Sequence, residues 1–232
     1  MQDLIMQERF ELEVLDRLNS GKFLNQIIFG GGTMLRLCHG LERFSVDLDF
    51  WVIKDLKPEF FENMKAYLAR YYDLRDSAEK FYTILFELKS PAYPRSLKLE
   101  IRREVKKIHV EQVIAYSKYA NTQVFLKAVS LSDMMESKIE AFLDRQEIRD
   151  VFDMEFLFKR GVPLEASADT LREVLRLIDA LPRRDYTVKL GSLLEKEQRK
   201  YYSVENFKIF KRTLIEKQKE STDYTDEIEK WI

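Results

Sequence analysis

The chain is poor in the residues that build special scaffolds. Among 232 residues it has one cysteine, two histidines, seven glycines and five prolines. A lone Cys38 excludes an internal disulfide framework. His39 and His109 have no Cys or His partner at ligand spacing, which excludes an ordinary zinc site. Scarce Gly and Pro exclude long linkers and low-complexity segments. No apolar run approaches the roughly 20 residues that span a bilayer. The opening MQDLIMQERFELEVLDRL carries acidic side chains where a secretory signal needs an apolar stretch. A cytoplasmic protein with no membrane association is therefore expected. A formal net charge of -1 also excludes a chain that draws nucleic acid by its overall field. An RNA partner would have to meet a local basic patch, and Arg102-Arg103 with Lys106-Lys107, and Arg183-Arg184, are the best local clusters.

What is present is a globular mix of alternating patterns. Residues 2–19 place Leu4, Ile5, Phe10, Leu12, Leu15 and Leu18 at helical spacing before an Asn-Ser-Gly stop. A strand is predicted over 23–29, then glycines at 30–32, a short helix over 33–39, a turn at Gly40 and a strand over 46–53. A helix is predicted over 57–74 and strands over 81–88, 97–101 and 122–129. From 130 onward the pattern is helical almost to the end, with breaks near 161–163, Pro182 and Gly191. The expected fold class is α+β: a small mixed β-sheet core with flanking helices over 1–129, followed by a C-terminal helical bundle over 130–232.

Within Val46-Asp47-Leu48-Asp49-Phe50, the period of two sends both aspartates to one face. Two carboxylates less than about 7 Å apart along a strand repel each other unless a cation lies between them. A hard divalent ion such as magnesium suits oxygen donors, while a solvated edge strand is the competing explanation of an isolated Asp-x-Asp. Upstream, Gly30-Gly31-Gly32-Thr33 falls between a predicted strand and a predicted helix. Small residues there let backbone N–H groups approach phosphate oxygens. The loop is neither a Walker loop nor a dinucleotide fingerprint.

The stretch from Phe29 to Phe50 resembles the AbiEii/AbiGii toxin family of nucleotidyltransferases, within the DNA polymerase β-like superfamily. That family shows a Gly-Gly-Thr or Gly-Ser loop, a short helix, then Arg-x-Ser-x-Asp-Leu-Asp-Phe. Here Gly31, Gly32, Thr33, Arg43, Ser45, Asp47, Asp49 and Phe50 fall on it in order. The resemblance implies that Asp47 and Asp49 hold catalytic Mg2+, and that the loop with Arg43 and Ser45 binds a nucleoside triphosphate.

A second stretch, from Lys138 through Arg145, Arg149 and Asp150 to Asp153, looks like the family's second conserved region. If its helix is continuous, Lys138, Arg145, Arg149 and Asp153 share a stripe. By resemblance, Lys138 neutralises triphosphate charge while Arg149, Asp150 or Asp153 orients it or a bound sugar. An ordinary charged helix surface is the alternative. Transfer with two Mg2+ ions needs a third carboxylate from a neighbouring strand, and Glu100, alternating outward from Leu97, Leu99 and Ile101, is the candidate. Many relatives have aspartate there, and a salt-bridged surface residue beside Lys98 and Arg102 is the competing explanation of Glu100.

The expected fold would seat a nucleotide in the cleft between its two halves, and the resemblance implies transfer of NMP from an NTP to a hydroxyl. It names a tRNA 3′ end as the leading acceptor and a winged-helix antitoxin, encoded nearby, as partner. Alternatives are a phosphotransferase or nucleotidyltransferase acting on a small molecule or protein hydroxyl, and a non-catalytic nucleotide- or RNA-binding relative.

Overall fold

The computed structural model describes the backbone of residues 1–229 and the side chains through residue 218. The expected helical half was drawn to 232, so its last three residues lie outside the described ones. The chain divides into two compact units, one ending at Ser130 and one beginning at Leu131.

The first unit is a seven-stranded mixed sheet with helices. Helix α1 (Gln2–Ser20) leads through a 3-10 turn (Phe23–Asn25) into β1 (Ile28–Gly30), α2 (Gly31–His39) and β2 (Asp47–Val52). Then come α3 (Phe60–Leu68), β3 (Asp73–Glu79), β4 (Thr83–Lys89), β5 (Leu97–Val105), β6 (Val110–Tyr116) and β7 (Gln123–Val129). The strand order is β3-β4-β5-β2-β1-β7-β6. Pairings β2/β5 and β1/β7 are parallel and the rest antiparallel. The short central β1 is buried at every residue, as a strand flanked on both edges should be. Phe10, Phe29, Phe44, Phe50 and Phe86 are fully buried and fill this unit's core.

Three local expectations fail. The 23–29 stretch is strand only from Ile28, because Lys22 takes a left-handed conformation (φ 61) and the chain coils into the 3-10 turn. The 57–74 helix starts at Phe60 and ends at Leu68. Beyond it the chain forms β3, whose sequence DLRDSAE is polar and lies at the sheet edge. The strand β6 at the opposite edge was not predicted either; it alternates weakly and is mostly exposed.

The second unit is helical: α4 (Leu131–Arg145), α5 (Ile148–Lys159), α6 (Ala168–Asp179), a π-helical turn (Asp185–Leu190), α7 (Lys196–Glu205) and α8 (Lys208–Glu229). Ser167 caps α6 by accepting from the Thr170 N–H at 3.1 Å. Phe207, Phe210 and Leu214 pack at 0% exposure. Among the described residues no helix is long and apolar enough to cross a membrane.

Candidate active site

Sheet register sets the site. Gly30 pairs with Asp49 across β1/β2, and Asp49 pairs with Glu100 across β2/β5. Register partners project to the same face, so the glycine loop, the Asp-x-Asp strand and Glu100 are neighbours in one sheet. Asp47 and Asp49 are half-buried while Leu48 and Phe50 are fully buried, the alternation that the sequence predicts.

The loop turns directly from β1 into α2, with Gly30 as N-cap in extended conformation. The first N–H groups of any helix have no carbonyl four residues back, so this turn presents donors and a positive dipole end. Gly31 has φ +73, and a Cβ there would fall inside the Asp49 carboxyl. The left-handed conformation thus sits at Gly31; at Gly32 the constraint is different. A Cβ on Gly32 would come to 2.5 Å from Arg43 Nη2 and 3.1 Å from Ser45 Oγ. Gly32 is packed against the chain's own guanidinium, a reason for glycine independent of any phosphate.

Arg43 is buried at 3% exposure and its Nη1 donates to the Phe44 carbonyl at 3.1 Å. Thr33, fully buried, donates from Oγ1 to the Asp47 carbonyl at 2.5 Å, tying the first turn of α2 to β2. Helix α1 ties in the other side: Gln7 Nε2 donates to the Val46 carbonyl at 3.2 Å and the Ser96 carbonyl at 3.3 Å, just ahead of β2 and β5. Glu8 accepts from Arg36 and Ser117. Glu11 is fully buried with neither carboxylate oxygen hydrogen-bonded. Burial pushes its carboxyl well above the ordinary range, helped by the charges of Glu8 and Asp47 and opposed by Arg36. These α1 groups were missed in the sequence because they interleave with the apolar stripe; Gln7, Glu8 and Glu11 at helical spacing on a buried face were the available signal.

Glu100 is held by Lys98 on its own strand. Lys98 Nζ lies 2.8 Å from Glu100 Oε2, on the same strand face two residues away. Its ammonium is favoured chiefly by that hydrogen bond, with further help from the charges of Glu100, Asp47 and Asp49. Among the described residues, no group of three or more His, Cys, Asp or Glu side chains gathers as a metal ligand set.

This loop, helix and acidic strand carry the residues on which sequence comparison can decide. The family profile of the nucleotidyl transferase AbiEii toxin, type IV TA system, matches residues 13–230. The chain belongs to the AbiEii family. It is therefore a nucleotidyltransferase of a type IV toxin–antitoxin system, and membership implies a nucleoside triphosphate substrate and an antitoxin partner. The match runs well beyond the 29–160 segment in which the motifs are legible.

Among solved structures, JHP933 from Helicobacter pylori matches with a TM-score of 0.61 at 20% identity, over 95% of this chain and 97% of that one. A candidate nucleotidyltransferase, also from H. pylori, matches with a TM-score of 0.56 at 20% identity, over 90% and 96%. These likenesses are of fold. No match was found among curated proteins.

The family's second region lies in the other unit and differs from the expected stripe. The helix is not continuous: α4 ends at Arg145, Gln146 turns with φ 52, and α5 starts at Ile148. Lys138 meets the acids across this hairpin, 3.2 Å from Asp150 Oδ1 and 2.7 Å from Asp153 Oδ2. Arg145 grips Asp150 with two bonds, Nε to Oδ2 at 2.8 Å and Nη2 to Oδ1 at 2.7 Å. Both aspartates are at 0% exposure, the Lys138 side chain at 8%, and Arg149 is half-buried.

Proposed function

We propose that the chain transfers a nucleoside monophosphate from an NTP to the 3′-terminal hydroxyl of tRNA in a Mg2+-dependent reaction. The observation that carries the reading is the half-exposed Asp47 and Asp49 pair beside a glycine turn at a helix N-terminus. The α2 turn offers N–H donors to the triphosphate, and Arg43 and Ser45 line the same turn. Asp47 and Asp49 are hard oxygen donors of the kind Mg2+ takes. When bound there, the ion polarises phosphate oxygens and screens the charge that builds on them. The acceptor oxygen bonds to the α-phosphorus, the bond from that phosphorus to the β-bridging oxygen breaks, pyrophosphate leaves, and the hydroxyl proton passes to water. In the same reading Lys138, fixed by Asp150 and Asp153, offsets charge on the leaving pyrophosphate, and Arg149 contacts the triphosphate. A winged-helix protein serves as antitoxin.

Purified protein incubated with α-labelled NTPs, Mg2+ and tRNA tests this. Label should appear in tRNA and vanish when Mg2+ is chelated or Asp49 is replaced by asparagine. Label on protein or on a small molecule, with none on tRNA, would reject the acceptor. No label with any acceptor would reject transfer itself.

A further inference from the structure

We propose that the Lys98 ammonium takes the place of a second metal at the acidic cluster, so that the protein alone binds a single divalent cation, at Asp47 and Asp49. The inference rests on the reading above that this pair holds the cation.

The geometry comes from β5. Lys98 pairs with Asp47 and Glu100 with Asp49, so both side chains rise from the sheet face that bears the aspartates. A third carboxylate that served a second metal would have to turn an oxygen across the strands toward Asp49. Glu100 instead turns along its own strand to the Lys98 ammonium at 2.8 Å, and the three acids do not gather as a ligand set among the described residues.

Glutamate's extra methylene makes this turn easy, since it lets the carboxylate reach a neighbour two residues away on the same face. A divalent ion could recruit Glu100 only by breaking the ion pair and settling beside an ammonium that repels it. The ammonium can neutralise charge on the cluster and donate hydrogen bonds to a bound phosphate. Lacking vacant coordination positions, it cannot ligate water or phosphate. The site would therefore be a metal-plus-lysine clamp in place of two metals.

Titration with Mn2+, following free ion by its paramagnetic resonance, tests this on the full chain without nucleotide. Wild type should bind one ion. Glu100→Gln should bind one ion with affinity within about twofold of wild type. Lys98→Met, which removes the charge and keeps the length, should bind a second ion or bind the first at least tenfold tighter, and adding Glu100→Gln to it should reverse the gain. Lys98 and Glu100 side chains are 46% and 29% exposed, so these variants should fold, and a thermal melt verifies it. Two ions in wild type, with one lost in Glu100→Gln, would overturn the proposal, as would unchanged binding in Lys98→Met. Wild-type Mn2+ binding by Asp49→Asn would instead overturn the reading beneath it, because the cation would then not be at the aspartate pair.

Discussion

The two units treat their acids in opposite ways. In the first, Asp47 and Asp49 stand half-exposed on a sheet face, next to a turn whose glycines leave no room for side chains. In the second, Asp150 and Asp153 are sealed at 0% exposure and hold a buried lysine, with Arg145 closing over one of them. Exposure decides what each can do. A half-exposed acidic face is within reach of a cation from solvent, whereas a buried ion cluster is closed to one and acts first on stability. Both clusters match family motifs, yet replacing each should first cost something different: the proposed chemistry in one, stability in the other.

Replacing Lys138 sharpens this contrast most. Lys138→Met leaves two buried carboxylates without the nearest ammonium, which should cost about 3–5 kcal/mol of stability. Chemical denaturation measures this. Assayed below its unfolding temperature, the folded fraction should also transfer roughly 100-fold more slowly. A stability loss with unchanged turnover would confine Lys138 to architecture and break the catalytic half of its proposed role.

Gly31→Ala attacks the open site. It forces a side chain into a left-handed conformation and into the Asp49 carboxyl, so both must shift. A displacement near 1 Å at the reacting groups should lower transfer about 100-fold, with a stability cost of about 1–2 kcal/mol. Gly32→Val is the poorer probe of phosphate approach, since its first collision is with Arg43.

The pH dependence of folding probes the buried Glu11 of α1. Burial raises Glu11 well above its ordinary 4.5, so the folded chain retains a proton that the unfolded chain releases. Glu11's contribution to stability should then be fully present below about 4.5 and be lost as pH rises toward and through the raised folded value. Glu11→Gln should flatten that fall and add on the order of 1 kcal/mol at pH 7, read from melts across pH. The smallest effect belongs to Thr33→Val, which removes the hydroxyl that donates to the Asp47 carbonyl. It should cost about 1 kcal/mol by denaturant titration.

The sequence made the open site far more legible than its supports. The period-two Asp-x-Asp and the glycine turn are short-range patterns, and the neighbouring strand then places Glu100 where alternation puts it. The α+β class and the run of C-terminal helices followed from periodicity. The edge strands β3 and β6 did not, because β3 is polar and β6 is mostly exposed and alternates only weakly, while Tyr71 continues the helical spacing of α3 past its end. Lys98 and Arg102 are legible as Glu100's basic neighbours but not which of them it pairs with, since the direction a glutamate carboxylate takes is set by its rotamer and not by spacing. The break at Gln146, which turns a supposed stripe into a hairpin, depends on one left-handed residue that no composition signals.

Chemistry is proposed to lie at the aspartate pair of the first unit. The most direct test is the single-turnover rate of labelled NMP transfer to tRNA by Asp49→Asn beside wild type, with thermal melts in parallel. The rate should fall by at least about 100-fold with little change in unfolding temperature, because Asp49 is half-exposed and the substitution keeps its shape. A folded Asp49→Asn protein that transfers at the wild-type rate would contradict that placement.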